Sequence, residues 1–340
     1  MAGASTKVVV TAFLMNLGIA IAKFVGFFFS GSVAMLAEGV HSVADTVNQV
    51  FLFLGIRRSK RAASSRHPFG YGMEQYIFSF LVAMLIFSLG GIYSLYEGIH
   101  KLLHPSEGLN HVDINLIILG LGIVLEGYSS LVATREVNKI RGNLSIVQFI
   151  RKSKDQVLVT VLFEDYAALF GLTIAAIGNI LYLVTDMVIF DSLATLVIGT
   201  LLMAIAGFLY YEAKSLLLGE AADPDDLKKI EAAFLDNENV SALRELLTMH
   251  LSATQILVNA HVKFKSGLTL EEVEDIIDDI EGRIIKDVPT VYKIFIETHQ
   301  NDEVQPLQTD PQPGQHHEAS YDPDEKPKRK TSISSSKKKK

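Results

Sequence analysis

The sequence predicts a multi-pass α-helical membrane protein with six transmembrane helices and a small C-terminal cytoplasmic α+β domain. Three observations predict it. Six windows of about 20 mostly apolar residues, the length that crosses a hydrocarbon core of about 30 Å, fall within residues 1–218. Between Val8 and Ile56 the only ionisable side chains are Lys23, Glu38, His41 and Asp45, so that stretch cannot form a water-soluble surface. After Gly219 the pattern changes to the shorter periods of a compact domain. With 49% hydrophobic and 20% charged residues overall, a single soluble globule is excluded.

The windows run over Val8–Phe29, Val33–Ile56, Tyr76–Tyr96, Ile114–Ala133, Val157–Val184 and Phe190–Tyr211. The first does not read as a signal peptide: it lacks a preceding basic run and a small-residue cleavage site, and Ser30-Gly31-Ser32 turns directly into the second. Short-loop charge sets the expected orientation. Arg57, Arg58, Lys60, Arg61 and Arg66 follow helix two, and Arg135, Lys139, Arg141, Arg151, Lys152 and Lys154 follow helix four. The other three connections offer only Lys101, which predicts both termini in the cytoplasm.

Residues 219–300 are expected to form one α+β unit in the order αββαβ, ferredoxin-like in character. Asp223-Pro224 reads as an N-cap followed by proline at the first helical position, opening a helix through Leu227, Ile230 and Phe234. A strand around Leu243–His250 is followed by Ile256, Val258, Ala260, Val262 and Phe264, whose alternation is that of a strand with one buried face. Thr269 and Glu272 form a capping box ahead of Val273, Ile276, Ile277, Ile280 and Ile284, and Val291–Glu297 closes the unit. Residues 301–340, rich in Pro, Asp, Gln, Ser and Lys, lack the apolar surface to offset ordering and read as a disordered tail.

Net charge is −7, and residues 219–300 hold 17 acidic against 8 basic groups, so nucleic acid is not an expected partner. The chain has no cysteine, which excludes disulfides, thiolate zinc sites and cysteine nucleophiles. No nucleophile–base pair or phosphate loop is apparent, so no enzyme is expected and no prosthetic group is implied.

Charges inside hydrocarbon are costly and mark function. His41 and Asp45, four positions apart, share one face of helix two with Glu38 and Asn48. Glu164 and Asp165 are adjacent in the otherwise apolar run of helix five, where two carboxylates repel unless a cation sits with them. Imidazole with carboxylates suits Zn²⁺, and also Mn²⁺ or Fe²⁺. The alternative is that these groups only pair with one another or with a neighbouring helix. Glu126 in helix four is open to three readings: gating a cavity, pairing with Arg135, or joining the metal path. Lys23 reads as snorkelling or bundle-facing, while Asn16, Asn48 and Gln49 suit hydrogen bonds between helices. In the soluble unit, His250, His261 and His299 stand out; His261 lies opposite the buried stripe and is a candidate cytoplasmic metal ligand.

Several stretches together resemble the cation diffusion facilitator family of divalent-metal/proton antiporters: Asn16–Lys23, Ala37-Glu38-Gly39-Val40-His41-Ser42-Val43-Ala44-Asp45, Arg66-His67-Pro68-Phe69-Gly70-Tyr71-Gly72, and Tyr96-Glu97-Gly98-Ile99. The resemblance extends over about residues 8–300. It implies a metal transport site at His41, Asp45 and Asp165. Val161 stands where the family commonly has His or Asp, and Glu164 is an extra acid, as in the subgroup that includes the vertebrate zinc transporter nine relatives. Glu164 lies about 100° around the helix from Asp165, so a helix rotation or a different fourth ligand is required. A second family site after helix two is expected to be vestigial, since Tyr71 and Ser64 stand beside His67 in place of ligands. The resemblance further implies a metallochaperone-like cytoplasmic domain and a homodimer. The function expected is export of Zn²⁺ from the cytoplasm in exchange for protons, with Mn²⁺ or Fe²⁺ as alternative cargo. A membrane-anchored metal sensor is the reading from another class.

Overall fold

The computed structural model describes residues 2–30, 33–104 and 112–298, apart from the side chains of residues 2 and 3 and a few around residues 30–38 that include Glu38. The predicted tail, the turn at Gly31 and His299 lie outside the described residues. Helices α1 (Ala2–Ser30), α2 (Val33–Ser59), α3 (Glu74–Leu85) and α4 (Tyr93–Leu103) come first, α3 and α4 being joined by a π-helical segment, Ile86–Ile92. Then come α5 (Val112–Ile140), α6 (Ile146–Lys152), α7 (Gln156–Thr185) and α8 (Ile189–Leu218). The chain continues as α9 (Pro224–Leu235), β1 (Val240–Ser252), β2 (Gln255–Phe264), α10 (Leu270–Asp287) and β3 (Val291–Thr298).

Among the described residues five helices are long and apolar enough to cross a membrane: Ala4–Phe29, Glu74–Leu103, Val112–Ile140, Gln156–Thr185 and Ile189–Leu218. Helix α2 is not among them, because His41, Asp45, Asn48 and Gln49 depress its hydropathy. Its 27 residues nevertheless exceed the span required at about 1.5 Å per residue, and it packs on α1 and α3 inside the bundle. The expected count of six therefore rests on its length and packing rather than on its hydropathy. Large apolar side chains such as Leu14, Ile117, Val124, Phe170 and Val184 point outward, which requires an apolar surround.

The bundle closes by α1 on α2 and α5, α5 on α7, and the third span on α8. Small residues bring the last pair close together: a Cβ on Gly98 would stand 2.8 Å from Leu196, and one on Gly199 would stand 2.8 Å from the Leu95 nitrogen. Within the third span the backbone N–H of Tyr93 reaches the Ser88 carbonyl five residues back, the signature of π winding. The periodicity of the sequence gives no warning of this segment. Nor does it predict α6, a seven-residue helix between the fourth and fifth spans that carries its own capping box at Ser145 and Gln148 and buries Phe149. The helical bundle is packed solid at the end facing α9–β3 by Val8, Val9, Leu52, Ile56, Val137, Phe149, Leu158, Leu162 and their neighbours.

The soluble part has the expected αββαβ order. Asp223 caps α9 through the Asp225 amide with Pro224 behind it, and Thr269 and Glu272 form the capping box of α10. The sheet runs β1-β2-β3, with β1 antiparallel and β3 parallel to β2. Alternate residues of β2, Ile256, Val258, Ala260 and Val262, are buried against Ile230, Phe234, Ile276, Ile280 and Ile284 of the two helices, and among the described residues no helix packs on the other sheet face. Gly219, with φ of 97°, ends α8 in the left-handed region that a Cβ disfavours.

Polar and close-packed contacts hold this part to the bundle. Lys152 pairs with Asp225 at 2.9 Å and Lys154 with Glu220 at 2.5 Å. Gly72 lies so close to Leu251 and Ser252 that a Cβ would meet the Leu251 carbonyl oxygen, and Phe69 meets Phe295 edge to face with centroids 6.4 Å apart.

Candidate metal site

A cavity of about 280 Å³ lies between α1, α2, the third span, α5, α7 and α8. It extends from the middle of the bundle to the ends of α4 and α8 that carry Lys101 and Asp191, away from the packed apolar end. All four sequence-predicted transport residues line it: His41, Asp45, Glu164 and Asp165.

Helical spacing places the α2 pair. His41 Nε2 stands 4.0 Å from Asp45 Oδ2, and their side chains are 33% and 35% exposed, open to an incoming ion. Further along the same helix, Asn48 and Gln49 donate to the two oxygens of Glu164 at 2.9 and 2.7 Å. The expected role of these amides between helices is thereby met, and they draw Glu164 toward α2. Asp165, one residue on and about 100° around α7, is buried and accepts from Ser129 of α5 at 2.7 Å. Val161 is fully buried in the apolar core and brings no donor to the cavity.

Among the described residues no three His, Asp or Glu side chains gather closely enough to cage an ion. The physical reason is visible in the contacts: Glu164 and Asp165 are each satisfied by neutral donors on different helices, and His41 and Asp45 do not quite touch. The arrangement is an open cup with its donors facing one space.

Glu126 of α5 also lines the cup, only 4% exposed, with Oε2 lacking a hydrogen-bond partner among the described residues. The charges of Asp165, Asp45, Glu164 and Lys23 all act on it. It does not pair with Arg135 among the contacts described. At the end of the cavity formed by α4 and α8, Lys101 bridges Asp191 at 3.0 Å and Glu97 at 3.9 Å. Sequence reasoning missed this cluster and Ser129. Lys101 as the sole base of the outer connections, with Glu97 four residues before it, was the available signal.

Outside the bundle, His261 lies on the sheet face opposite the helices between Glu297 and Glu245, with Nε2 2.9 Å and Nδ1 3.7 Å from their carboxylates, as the strand register dictates. His250 is separate: it is buried, its Nε2 lacks a partner among the described residues, and burial pushes its imidazole below the ordinary value despite the Ser252 carbonyl. At the loop after α2, Ser64 and Tyr71 hydroxyls meet at 3.2 Å and the His67 ring lies 4.5 Å from that of Tyr71. These side chains are turned on one another.

Residues 9–218 match the cation efflux transmembrane domain, and residues 222–300 match the cytoplasmic domain of cation efflux proteins. The chain belongs to the cation efflux family. Similar relatives include the proton-coupled zinc antiporter SLC30A9, mitochondrial, of Xenopus laevis, 32% identical over 282 residues, covering 81% of this chain and 50% of the relative. The human protein of the same name is 31% identical over 286 residues, with the same coverage. Metal tolerance protein C4 of Arabidopsis thaliana is 34% identical over 238 residues, covering 69% of this chain and 52% of the relative. The chain thus spans about half the length of these cation efflux relatives. Their class is that of transporters, not enzymes, and the HPFGYG loop and the α2 stripe fall inside the matched transmembrane part.

Proposed function

We propose that the protein is a secondary antiporter that exports Zn²⁺ from the cytoplasm in exchange for protons, through a site formed by His41, Asp45, Asp165 and Glu164. The observation that carries this reading is the convergence of these side chains on one cavity inside an apolar bundle. A charge at that depth is costly without a cation, and a borderline divalent ion matches one imidazole with carboxylates. The name of the relatives, proton-coupled zinc antiporters, favours Zn²⁺ over Mn²⁺ or Fe²⁺ as cargo.

Lys and Arg in the loops after α2 and α5 support a cytoplasmic side for the soluble domain and both termini. The cavity then opens away from the cytoplasm, and the packed end around Leu52, Val137 and Leu158 is the closed inner gate. In the opposite state the same ligands face inward, where Zn²⁺ displaces their protons. Reprotonation of these ligands on the outer side then releases the ion. A second copy of the chain completes the transporter through the cytoplasmic domain, whose sheet carries helices on one face only among the described residues.

The test is proton-driven Zn²⁺ uptake into inverted vesicles. His41→Ala and Asp45→Ala variants that insert normally are expected to lose it, and unchanged uptake rejects the site. Competition by Mn²⁺ and Fe²⁺ in the same assay decides the cargo.

A further inference from the structure

We infer that Glu126 of α5 is a direct ligand of the transported ion, supplying from a third helix the donor that Val161 does not bring. The inference rests on the transport site proposed above and changes its membership. Three observations carry it. Val161 is enclosed by apolar neighbours and has no donor. Glu164, the alternative fourth carboxylate, has each oxygen held by a side-chain amide of α2, Asn48 and Gln49, which orients it toward that helix. Glu126 is the opposite case: a buried carboxylate lining the cavity, with Oε2 lacking a partner among the described residues.

The backbone turns this group toward Asp165. Ser129 lies three residues after Glu126 on the same helical face, and its hydroxyl is 2.7 Å from the Asp165 carboxylate. Asp165 and Asp45, the other proposed ligands, are two of the charges that act on Glu126. A buried carboxylate with an unpartnered oxygen beside further carboxylates is unfavourable as an anion, with Lys23 the opposing charge already acting on it, and a divalent cation relieves that repulsion. A Zn²⁺ ion drawing His41, Asp45, Asp165 and Glu126 to about 2.0–2.2 Å forms a four-coordinate site of one nitrogen and three oxygens. Glu164 then serves to fix α7 against α2 and leaves the ion to the other four.

The full-length protein in detergent, titrated with Zn²⁺ against a fluorescent chelator, tests this. Glu126→Gln is expected to weaken Zn²⁺ by at least about tenfold, the lower bound seen even for groups outside the ligand shell. Glu164→Gln should weaken it less. Because the chain has no cysteine, Glu126→Cys places a single thiol at the position. Bound Cd²⁺ should then show thiolate charge-transfer absorption, which reports direct ligation even if the Gln variant folds poorly. Wild-type affinity in Glu126→Gln, or Cd²⁺ bound to Glu126→Cys without that absorption, overturns the inference; loss of binding in Asp45→Ala would then leave the wider site standing. If Asp45→Ala and Glu126→Gln both bind Zn²⁺ as the wild type does, both readings fall together.

Discussion

Asp155 governs how α7 enters the bundle, and its replacement gives a quantitative test. Its side chain caps α7 by accepting from the Leu158 N–H at 3.1 Å, and accepts from the Ser5 hydroxyl of α1 at 2.5 Å, in a site almost closed to solvent. Asp155→Ala removes a helix cap, worth about 1 kcal/mol, and the hydrogen bond accepted from Ser5, worth about 1.5–3 kcal/mol for a charged acceptor. The expected loss is therefore about 2.5–4 kcal/mol. Burial raises the Asp155 carboxyl above its ordinary 3.8, opposed by the hydrogen bonds from Ser5 and Leu158. A raised value means the folded state prefers the protonated form, so this group's contribution is greatest below pH about 3.8 and declines as pH rises through the raised value. At neutral pH the charge itself is a burden, while the two accepted hydrogen bonds are not. Asp155→Asn keeps an acceptor oxygen without the charge and should melt within about 1 kcal/mol of wild type, with a flatter pH dependence. Thermal unfolding of the detergent-purified protein near pH 5 and pH 7 provides the assay. An Asn variant as damaged as the Ala variant at neutral pH, or an undamaged Ala variant, would refute the reasoning.

A double-mutant cycle on Gln49→Ala and Glu164→Ala should return a coupling of about 1.5–3 kcal/mol, the worth of a hydrogen bond to a charged group; a coupling near zero means the bond is not made. Gly199→Val pushes a side chain into the Leu95 backbone and should cost about 1–3 kcal/mol in melting, whereas Gly207→Val, which meets nothing within 4 Å, should cost much less. His250 is held neutral by burial, a depressed value, so its contribution is complete above pH about 6.5 and is lost as pH falls through the lower folded value. Hydrogen-exchange protection factors at the β1–β2 hairpin, taken against the intrinsic rate at each pH, should fall from about pH 7 to about pH 5 in the wild type and much less in His250→Gln.

The legible parts of the molecule were those written in local periods. Apolar length marked the membrane helices, and the period of β2 with the Thr269–Glu272 box marked αββαβ. Helix α2 shows the limit of that reading, because the residues that make it functional are those that spoil its hydropathy. The spacing of His41 and Asp45 fixed their shared face, and Asn48 and Gln49 do bond between helices. What they bond to was not legible: Asn48 and Glu164 are 116 residues apart, and nothing local connects them. Likewise the adjacency of Glu164 and Asp165 suggested one shared task, yet the helix turns them toward different neighbours, one to α2 and the other to Ser129. Short α6 escaped notice because seven residues carry too little periodicity to stand out from a basic loop.

The wide winding at Ile86–Ile92 has a consequence for everything that follows it. A stretch coiled with five-residue bonds holds spare length, and taking up that slack by rewinding as ordinary α-helix turns the remainder of the span about its own axis by up to about 100°. Glu97 and Lys101 ride on that remainder, so a local change of pitch beside the vestibule would carry the Lys101–Asp191 latch out of register without unfolding a single turn.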